Sequence, residues 1–456
     1  MITFDKTGAL KAILSPHMES KELTEELDRY PKQTIIGLGQ GGGRIAAELS
    51  RFGFPTYLVN SSKSDMEEHS NLIPENRRIL TKSTAYPELE GTDKNAVLGL
   101  EIAKENATKY KELAINDDVT DADFVWVTVS LGGGTGNGAL KLALSYLSQI
   151  REKVKRLPDG KIPLGVICSL PSKDEKGSVY RKNALTGIAV LQKLMDAGKI
   201  GSALVIDNEK MKDYYAKQPL KTYGGTEIDA KSYSNMVVAA LLAEVASIPL
   251  LKGRAVYDKT EFLSTISTPG WLSVSKLIAS ADDNVEQMVH DLFNRNEVLA
   301  TYEIEDVASG GVAVMYPASK KISPKTADDI FRYTSEILQT KVNLSITTNK
   351  EINGITIYGL AVMRTPSSRV IELKNELVEW QEKEEEEERR KQQKADALGL
   401  SEFVDIFSSE SSEFSTRKPI EREISKLSLD DLDDEWDKKT DEVKKLSIND
   451  LKDIDF

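Results

Sequence analysis

Two clusters of glycine follow apolar runs, and each has the composition of a loop that binds an anion. The first cluster, after the run that begins at Thr34, reads Gly37-Leu-Gly39-Gln40-Gly41-Gly42-Gly43-Arg44 and opens a helical pattern. At such a strand-to-helix junction, backbone N–H groups and the helix dipole together attract phosphate. We therefore expect Gly39, Gln40, Gly41 and Arg44 to contribute to a phosphate site.

The first cluster also satisfies the G-x-G-x-x-G pattern of a dinucleotide site. That kind of site needs an acidic residue about twenty positions further on to hold the ribose. The chain has Asn60-Ser61-Ser62 at that place. By itself, the loop leaves open a dinucleotide site, another phosphate site, or a tight turn that binds nothing.

The second cluster lies between a β-branched strand pattern at 124–130 and an Ala/Leu-rich helix pattern near Ala139, and it reads Leu131-Gly132-Gly133-Gly134-Thr135-Gly136-Asn137-Gly138. So many glycines weaken a fold through lost conformational entropy. A close approach of the backbone to a bulky anion accounts for them, with the Thr135 hydroxyl and successive amides as donors. A flexible linker is the alternative, but rigid flanking elements disfavour it.

The elements that must position these loops alternate along the chain. Short apolar runs near 34–39, 56–60, 124–129, 164–170 and 202–206 are separated by helical stretches. That alternation predicts an α/β fold with a doubly wound parallel sheet covered by helices on both faces.

The second half of the chain has a different pattern. The segment from Asn235 to Leu251 is apolar nearly all round, which predicts a central buried helix. Strand patterns at 310–316, 342–347 and 355–363, with helices at about 281–296 and 325–339, predict a smaller α+β unit with its own sheet. A long C-terminal helix follows, and then an acidic tail.

Composition excludes several classes of function. The chain has 456 residues and a formal net charge of -13, which disfavours direct binding to nucleic acid or to an anionic membrane. Cys168 is the single cysteine and there are three histidines, so we predict no internal disulfide and no metal site built from protein ligands. The N-terminus lacks the pattern of a signal peptide, and a cytoplasmic protein is expected.

The second cluster resembles the tubulin signature GGGTG(S/T)G, with Asn137 in place of the usual hydroxyl residue. The first cluster resembles the glycine loop of FtsZ. From Thr34 to at least Met363, the order of motifs most resembles the TubZ proteins of plasmids and phages within the tubulin/FtsZ superfamily. The resemblance implies a GTPase that binds GTP and GDP with Mg²⁺ and assembles with itself into head-to-tail filaments.

With this resemblance, we predict the following segments: an N-terminal helical extension (1–32), a GTP-binding domain (33–234), a central connecting helix (235–257), an α+β domain (258–364), a C-terminal helix (365–398) and an acidic tail (399–456).

The resemblance assigns more of the nucleotide site, residue by residue. It places Asn60 in the loop after the second strand and Gly91, Lys94 and Asn95 in the loop that faces the terminal phosphate. Lys94 by its charge and Asn95 by its amide are also candidates without the resemblance. The seven residues from Gly132 to Gly138 match the signature, and we predict contacts from Gly132, Gly133, Gly134, Thr135, Gly136, Asn137 and Gly138.

Further along, the resemblance implies that Asp174, Glu175 and Arg181 read the ribose and base. The spacing to Arg181 is longer than in FtsZ, so the choice between the two acids stays open. Asn208 and Asn235 match the residues that read guanine, whose edge mixes donors and acceptors, as a carboxamide does. A helix cap or a turn is the alternative for either asparagine.

Asp258 and Glu261 match the loop that carries the family's paired acids, with Glu261 where FtsZ has aspartate. Carboxylates three residues apart share one helix face and can orient and activate a water. In the family they act on the nucleotide of the neighbouring subunit. The alternative is an ordinary acidic helix start.

The tail contains a repeat: Lys426-Leu-Ser-Leu-Asp-Asp-Leu-Asp-Asp returns as Lys445-Leu-Ser-Ile-Asn-Asp-Leu-Lys-Asp. Residues 399–456 hold seventeen acidic and nine basic residues. We interpret the repeat as a duplicated docking motif for a small DNA-bound adaptor protein, because linkage of two sites raises avidity. Chance similarity in an acidic segment is the alternative.

These patterns leave several functions to be separated. The preferred hypothesis is a filament-forming GTPase for plasmid or phage DNA segregation. An FtsZ-like protein of bacterial cell division, an NAD-dependent oxidoreductase and a GTP-binding scaffold that does not assemble dynamically are the alternatives.

Overall fold

The structure is a computed structural model, and it describes residues 30–217, 228–251, 253, 255–280, 284–294, 299–304, 306–319, 323–349 and 352–397. The predicted N-terminal extension, apart from its last residues, lies outside the described residues. The same holds for the acidic tail and its repeat.

Ten strands lie within the described residues: β1 (Gln33–Leu38), β2 (Thr56–Asn60), β3 (Arg78–Leu80), β4 (Phe124–Ser130), β5 (Leu164–Leu170), β6 (Ser202–Asp207), β7 (Gly270–Ala279), β8 (Val307–Pro317), β9 (Val342–Asn349) and β10 (Ile355–Met363).

The helices of the same residues are α1 (Gly39–Ser50), α2 (Lys63–Glu67), α3 (Ala96–Glu105), α4 (Ala107–Ala114), α5 (Asp117–Thr120), α6 (Thr135–Lys155), α7 (Ser178–Asp196), α8 (Asn208–Lys217), α9 (Ala230–Ala246), α10 (Lys259–Ile266), α11 (Val285–Asn294), α12 (Pro324–Leu338) and α13 (Arg369–Ala397).

The first six strands form the predicted parallel sheet. Their order is β3-β2-β1-β4-β5-β6, and every neighbouring pair is parallel. β1, β4, β5 and β6 are buried almost throughout, which explains why they read as continuous apolar runs rather than alternating ones. The α/β fold class predicted from the sequence is confirmed.

The strands of the second half are joined to this sheet. Three residues of β6, Ser202 to Leu204, pair in parallel with Gly270 to Leu272 of β7, and the sheet continues as β7-β10-β8-β9. β10 is antiparallel to both of its neighbours. We expected a second sheet of its own; the short β6–β7 ladder makes it a continuation, and no sequence pattern marks a pairing of only three residues.

Helix α9 is the predicted buried helix, and it packs into a core with residues from both halves of the sheet, including Leu204 and Leu360. It begins at Ala230, not at Asn235, because the Asp229 side chain accepts hydrogen bonds from the N–H groups of Lys231 and Ser232. The segment Ala230–Leu250 is long and apolar enough to cross a membrane, but 67% of its apolar window is buried, as in the core helix of a folded domain.

The second core lies under α11 and α12, where Val289 and Ile330 pack on β8, β9 and β10. α13 starts at Arg369. Contacts divide the chain into two compact units at Glu376 and Leu377. In the second unit, α13 continues with exposed residues and i,i+4 pairs such as Arg390 with Glu386, in agreement with the absence of an apolar face there.

Candidate functional site

The two glycine loops lie side by side at the carboxyl edge of the parallel sheet, because β1 and β4 are neighbours and both end there. Gly39, the first residue of α1, has φ of 65°. A Cβ at Gly39 would lie 2.7 Å from the backbone nitrogen of Gly136. Only glycine combines that left-handed backbone with so close an approach of the second loop.

Both loops open directly into helices without a side-chain cap. The N-cap residues, Leu38 before α1 and Gly134 before α6, have no side-chain oxygen that could accept a hydrogen bond from the first backbone N–H groups of the helix. The first turns therefore present backbone N–H groups and the positive end of the helix dipole. A Cβ at Gly133 would have only the Ser130 carbonyl oxygen near it, at 3.4 Å, so this glycine faces open space. The arrangement is suited to phosphate.

Hydroxyl groups join three loops at this edge. The Thr135 hydroxyl lies 3.0 Å from the Ser61 hydroxyl and 3.3 Å from that of Thr92. Ser61 follows β2, and Thr92 lies in the loop before α3. The sequence singled out Thr135, but it did not indicate that Ser61 and Thr92 converge on it.

The predicted terminal-phosphate loop has an unusual backbone. Gly91, Asp93 and Lys94 have φ of 81°, 42° and 64°. Asn95 then caps α3, since its side-chain oxygen accepts hydrogen bonds from the N–H groups of Val97 and Leu98, both at 3.1 Å. Two left-handed residues that are not glycine are a sparsely populated conformation, of the kind that clusters at functional sites.

Lys94 is the cation of this loop. Its side chain is 46% exposed, and its Nζ lies 5.5 Å from the centre of the Tyr180 ring and 3.4 Å from the Asp93 carboxylate. Tyr180, and after it Asp93, raise the pKa of Lys94 above its ordinary value. Lys94 therefore keeps its positive charge, as a phosphate ligand must.

Asn183 of α7 holds the loops in place. Its Nδ2 donates to the carbonyl of Lys94 at 2.8 Å and to the carbonyls of Gly132 and Gly133 at 3.3 Å. Asn137 in turn donates to the Asn183 carbonyl at 2.9 Å, so the residue that replaces the usual hydroxyl ties α6 to α7. Asn183 was not among the predicted site residues, although it lies just downstream of the loop whose resemblance predicts contacts with ribose and base.

Gln40 and Asn60 meet at Asp65 of α2. The Gln40 amide donates to one carboxylate oxygen at 2.8 Å and the Asn60 amide to the other at 3.2 Å. Arg44 points elsewhere, to Glu68 at 3.1 Å. Asp65, which sequence reasoning missed, thus orients two predicted ligands, while Arg44 has an acidic partner of its own.

The 171–177 loop, predicted to read ribose and base, is held by charged partners. Asp174 is 68% exposed and lies 2.6 Å from the Lys212 ammonium, which lowers the pKa of Asp174. Glu175 is less exposed; it pairs with Lys231 and accepts a hydrogen bond from the Ser172 N–H. Arg181 is buried, and it donates to carbonyls of the loop itself. These contacts hold the loop in place, and a contact of Arg181 with ribose or base stays a prediction.

The two asparagines predicted to read guanine sit on helices that pack together. Asn208 is the first residue of α8, just after β6, and Asn235 lies in the second turn of α9. The Tyr214 and Tyr215 rings of α8 pack on Tyr233 of α9, at 6.4 and 5.3 Å between centroids. Both asparagines are partly exposed. The fold therefore brings them to neighbouring elements at the carboxyl edge.

Asp258 and Glu261 form a capping box at the start of α10. The Asp258 carboxylate accepts from the Glu261 N–H at 2.8 Å, and the Glu261 carboxylate accepts from the Asp258 N–H at 3.3 Å. Glu261 also lines a cavity of about 570 Å³ with Lys161, Asn343 and Arg364. The predicted acids are thus adjacent, and Asp258 is exposed.

These acids lie at the amino edge of the parallel sheet. Lys259, the residue after Asp258, pairs at 2.6 Å with Asp123, which immediately precedes β4. Ser264 of α10 donates to Asp159 at 2.7 Å and accepts from Lys161 at 2.8 Å, both before β5. α10 is therefore anchored to the starts of the strands whose ends carry the glycine loops.

The length of β4 separates the two sets of residues. It has seven residues between the amino edge and the second glycine loop, and at about 3.3 Å per residue it spans roughly 20 Å. Within one chain, the carboxylates of Asp258 and Glu261 are far too distant to touch an anion bound at the glycine loops.

The comparisons with known proteins agree with this geometry. Residues 32–216 match the family described as Tubulin/FtsZ family, GTPase domain. The chain is 29% identical over 255 residues to the tubulin-like protein TubZ of Bacillus cereus, covering 53% of this chain and 54% of that protein. It is 26% identical over 312 residues to the tubulin-like protein CetZ of Pyrococcus abyssi, covering 67% and 77% respectively. The chain spans about half the length of the TubZ relative.

The fold is similar to that of TubZ from Bacillus thuringiensis serovar israelensis in a GTPγS-form protofilament. The TM-score is 0.65 at 20% identity, with 81% of this chain and 98% of that chain covered. The glycine-loop geometry and the match over the whole parallel sheet point the same way. Through residues 32–216, the chain is similar to the Tubulin/FtsZ family, GTPase domain.

Proposed function

We propose that the chain binds GTP at the carboxyl edge of its parallel sheet, assembles head to tail with copies of itself, and hydrolyses GTP at the contact between two copies. The observation that carries the proposal is the separation of the glycine loops from Asp258 and Glu261 by the length of β4. A head-to-tail contact brings the amino edge of one copy onto the carboxyl edge of the next. Such a contact places the acids of one copy beside the glycine loops of the next, which are far apart within one chain.

The carboxyl edge offers a group for each part of the nucleotide. The N-termini of α1 and α6 and the side chain of Lys94 take the phosphates. The carboxamides of Asn208 and Asn235 can each donate to and accept from guanine. The oligomeric TubZ neighbour was solved as a GTPγS-form protofilament, which supports the same ligand class and the same mode of assembly.

Mg²⁺ would be held mainly by phosphate oxygens and water. Among the described residues, no group of three or more histidine, cysteine, aspartate or glutamate side chains could hold a metal ion. Mg²⁺ usually keeps several waters and binds through one or two carboxylates together with the substrate phosphates. When bound, it would neutralise charge on the phosphates.

Asp258 and Glu261 supply the base. An ionised carboxylate beside the terminal phosphate of the neighbouring copy can orient a water and accept its proton. Asp258 is exposed at the start of α10, where a second subunit can reach it. The phosphate loops contain the cation Lys94 and amide donors, but the base comes from the other copy.

Mixing two defective variants tests the shared site. Asp258→Asn keeps its own nucleotide loops, and the double variant Asn208→Ala with Asn235→Ala keeps its acids but loses the base readers. Each variant alone is expected to turn over GTP slowly. A mixture should recover activity, because contacts form in which the intact loops of one copy face the intact acids of the other.

The control is the wild type, which should sediment with GTP and Mg²⁺ and not with GDP. A mixture no more active than the sum of its parts would contradict catalysis across the contact. Wild-type protein that stays monomeric at high concentration with GTP and Mg²⁺ would contradict assembly itself.

For the cellular task, DNA segregation of a plasmid or phage is the proposal that the TubZ similarity favours. The repeated motif in residues 399–456 would dock on a DNA-bound adaptor. Deleting these residues should spare sedimentation with GTP and abolish co-sedimentation of the DNA-bound adaptor, to be sought among the products of neighbouring genes. Unchanged adaptor binding would contradict the docking role and leave a division-type function as the alternative.

A further inference from the structure

The first two turns of α13 carry charged side chains that are buried against the 171–177 loop. Arg369 is 2% exposed and Arg181, from α7, is 1% exposed. Glu376 lies between them. It accepts from Nε of Arg181 at 3.0 Å through one oxygen and from Nη1 of Arg369 at 2.5 Å through the other.

Both arginines also donate hydrogen bonds to carbonyls of the same loop. Arg181 donates to the carbonyls of Ser172 at 3.1 Å, Gly177 at 3.4 Å and Glu175. Arg369 donates to the carbonyl of Pro171 at 3.1 Å. The shape of the loop is thus fixed by two guanidinium groups, and both are held by one carboxylate.

The same cluster reaches the start of α8. Nε of Arg369 lies 3.5 Å from the carboxylate of Asp207, and that carboxylate accepts from the N–H of Glu209 at 3.0 Å. Asp207 therefore caps the helix whose first residue is Asn208. The loop and α8 are also joined directly, since Lys173 N–H donates to Glu209 at 2.8 Å.

We propose that Glu376 is a positioning residue for the nucleoside part of the ligand: through Arg181 and Arg369 it fixes the 171–177 loop and the start of α8. The inference rests on the proposed GTP binding and adds to it that the C-terminal helix sets how tightly ribose and base are held. The glycine loops, which take the phosphates, have no part in this cluster.

The electrostatics support the bridging role. Burial by itself raises the pKa of Glu376, but the hydrogen bonds and charges of Arg369 and Arg181 outweigh that effect and lower the pKa below the ordinary 4.5. Glu376 is therefore ionised at neutral pH. Removing its charge leaves two buried guanidinium groups without a common counter-ion, which is unfavourable.

The test compares Glu376→Gln with Glu372→Gln. Both change a glutamate of the first two turns of α13, and both glutamates contact Arg369, but Glu372 is 54% exposed and does not bridge to Arg181. The probes are a fluorescent GDP analogue and inorganic tripolyphosphate as competitor, measured well below the unfolding temperature of each variant. We expect Glu376→Gln to raise the Kd for GDP about tenfold, as loss of a hydrogen bond to a charged group does, and Glu372→Gln to change it less than about twofold.

The tripolyphosphate Kd separates positioning from general destabilisation. It should be the same in both variants and the wild type, because the glycine loops and Lys94 hold this probe and none of them belongs to the Glu376 cluster. Equal GDP affinities for the two variants, or a parallel weakening of GDP and tripolyphosphate, would overturn the inference. Wild-type protein that binds no guanine nucleotide would instead overturn the proposed function.

Arg369→Lys covers the case in which Glu376→Gln does not fold. Lysine keeps the charge but lacks the planar fork that reaches Glu376 and the Pro171 carbonyl together. It should also weaken GDP binding and spare tripolyphosphate. An Arg369→Lys protein that binds GDP like the wild type would contradict the proposal independently.

Discussion

Asp258 and Glu261 accept hydrogen bonds from each other's backbone N–H groups, at 2.8 and 3.3 Å, so the two proposed catalytic acids also build the start of α10. Substitution by alanine would remove the cap and the carboxylate together. The chemistry and the stability must therefore be separated by choice of substitution.

Asp258→Asn separates them, because asparagine caps a helix about as well as aspartate does. We expect GTP turnover to fall by roughly 100-fold or more, the size of a lost general base. The free energy of unfolding should change by less than about 0.5 kcal/mol. Phosphate release and urea unfolding measure the two effects.

Ser323→Ala is the matched control for lost capping. The Ser323 hydroxyl accepts from the Thr326 N–H at 3.1 Å at the start of α12. Its loss should lower stability by about 1 kcal/mol and leave turnover unchanged. If the Asp258→Asn variant hydrolysed GTP at the wild-type rate, the Asp258 carboxylate would have no part in the reaction.

Gly133→Ala is expected to weaken nucleotide binding without unfolding the protein. A methyl group at Gly133 meets only the Ser130 carbonyl at 3.4 Å, so the free chain accommodates it, but it projects into the space proposed for phosphate. Gly43→Ala is the comparison, since its methyl group would lie 3.7 Å from Leu58 inside α1. There alanine should stabilise by about 0.5–1 kcal/mol and leave the GDP Kd unchanged.

Thr135→Val should disconnect the three loops that meet at its hydroxyl. It removes contacts of 3.0 Å to Ser61 and 3.3 Å to Thr92, each worth about 1 kcal/mol. We expect a lower free energy of unfolding and a higher Kd for GDP. Thr135→Ser keeps the hydroxyl and should behave like the wild type; equal behaviour of the valine and serine variants would show that the hydroxyl contributes nothing.

Asp123→Asn should weaken the anchor of α10 in a pH-dependent way. Burial raises the pKa of Asp123, but the Lys259 ammonium and the Lys32 N–H lower it by a larger amount. The net pKa therefore lies below the ordinary 3.8. A carboxylate whose pKa is lower in the folded than in the unfolded state stabilises the fold at pH values above its unfolded pKa. This stabilisation is lost as the pH falls through the folded pKa. We therefore expect the variant to be less stable by about 1–2 kcal/mol near neutral pH, with the gap closing in acid. Urea unfolding across that range measures it; a gap that is constant with pH would rule out the charge as its cause.

The sequence predicts the carboxyl edge well because chain order determines it. Parallel strands end at one edge, so the glycine loops after β1 and β4 must lie at the same edge, and the pairing of β1 with β4 places Gly39 against Gly136. The acids of α10 could be found only through the family resemblance. Their place at the opposite edge depends on how α10 packs on the loops before β4 and β5, which no local pattern encodes.

Side-chain partners are the part that the sequence does not specify. The burial of Arg181 depends on Glu376, which is 195 positions away in the chain. The convergence of Ser61 and Thr92 on Thr135 likewise depends on loop conformations set by tertiary contacts. The direct nucleotide contacts of Arg44, Asp174 and Glu175 stay predictions, and the structure adds a protein partner for each of them.

The opposite-edge arrangement of glycine loops and α10 has a consequence for any row of head-to-tail copies. If the hydrolytic centre is shared as proposed, a row completes one centre fewer than it has subunits, because the two end copies each lack a neighbour on a different side. One end carries a nucleotide that no acid can reach, and the other carries acids that face solvent. The two ends of such a polymer are therefore chemically different. The nucleotide that each subunit holds then depends on how long the subunit has been in the polymer and on which end it lies nearer to.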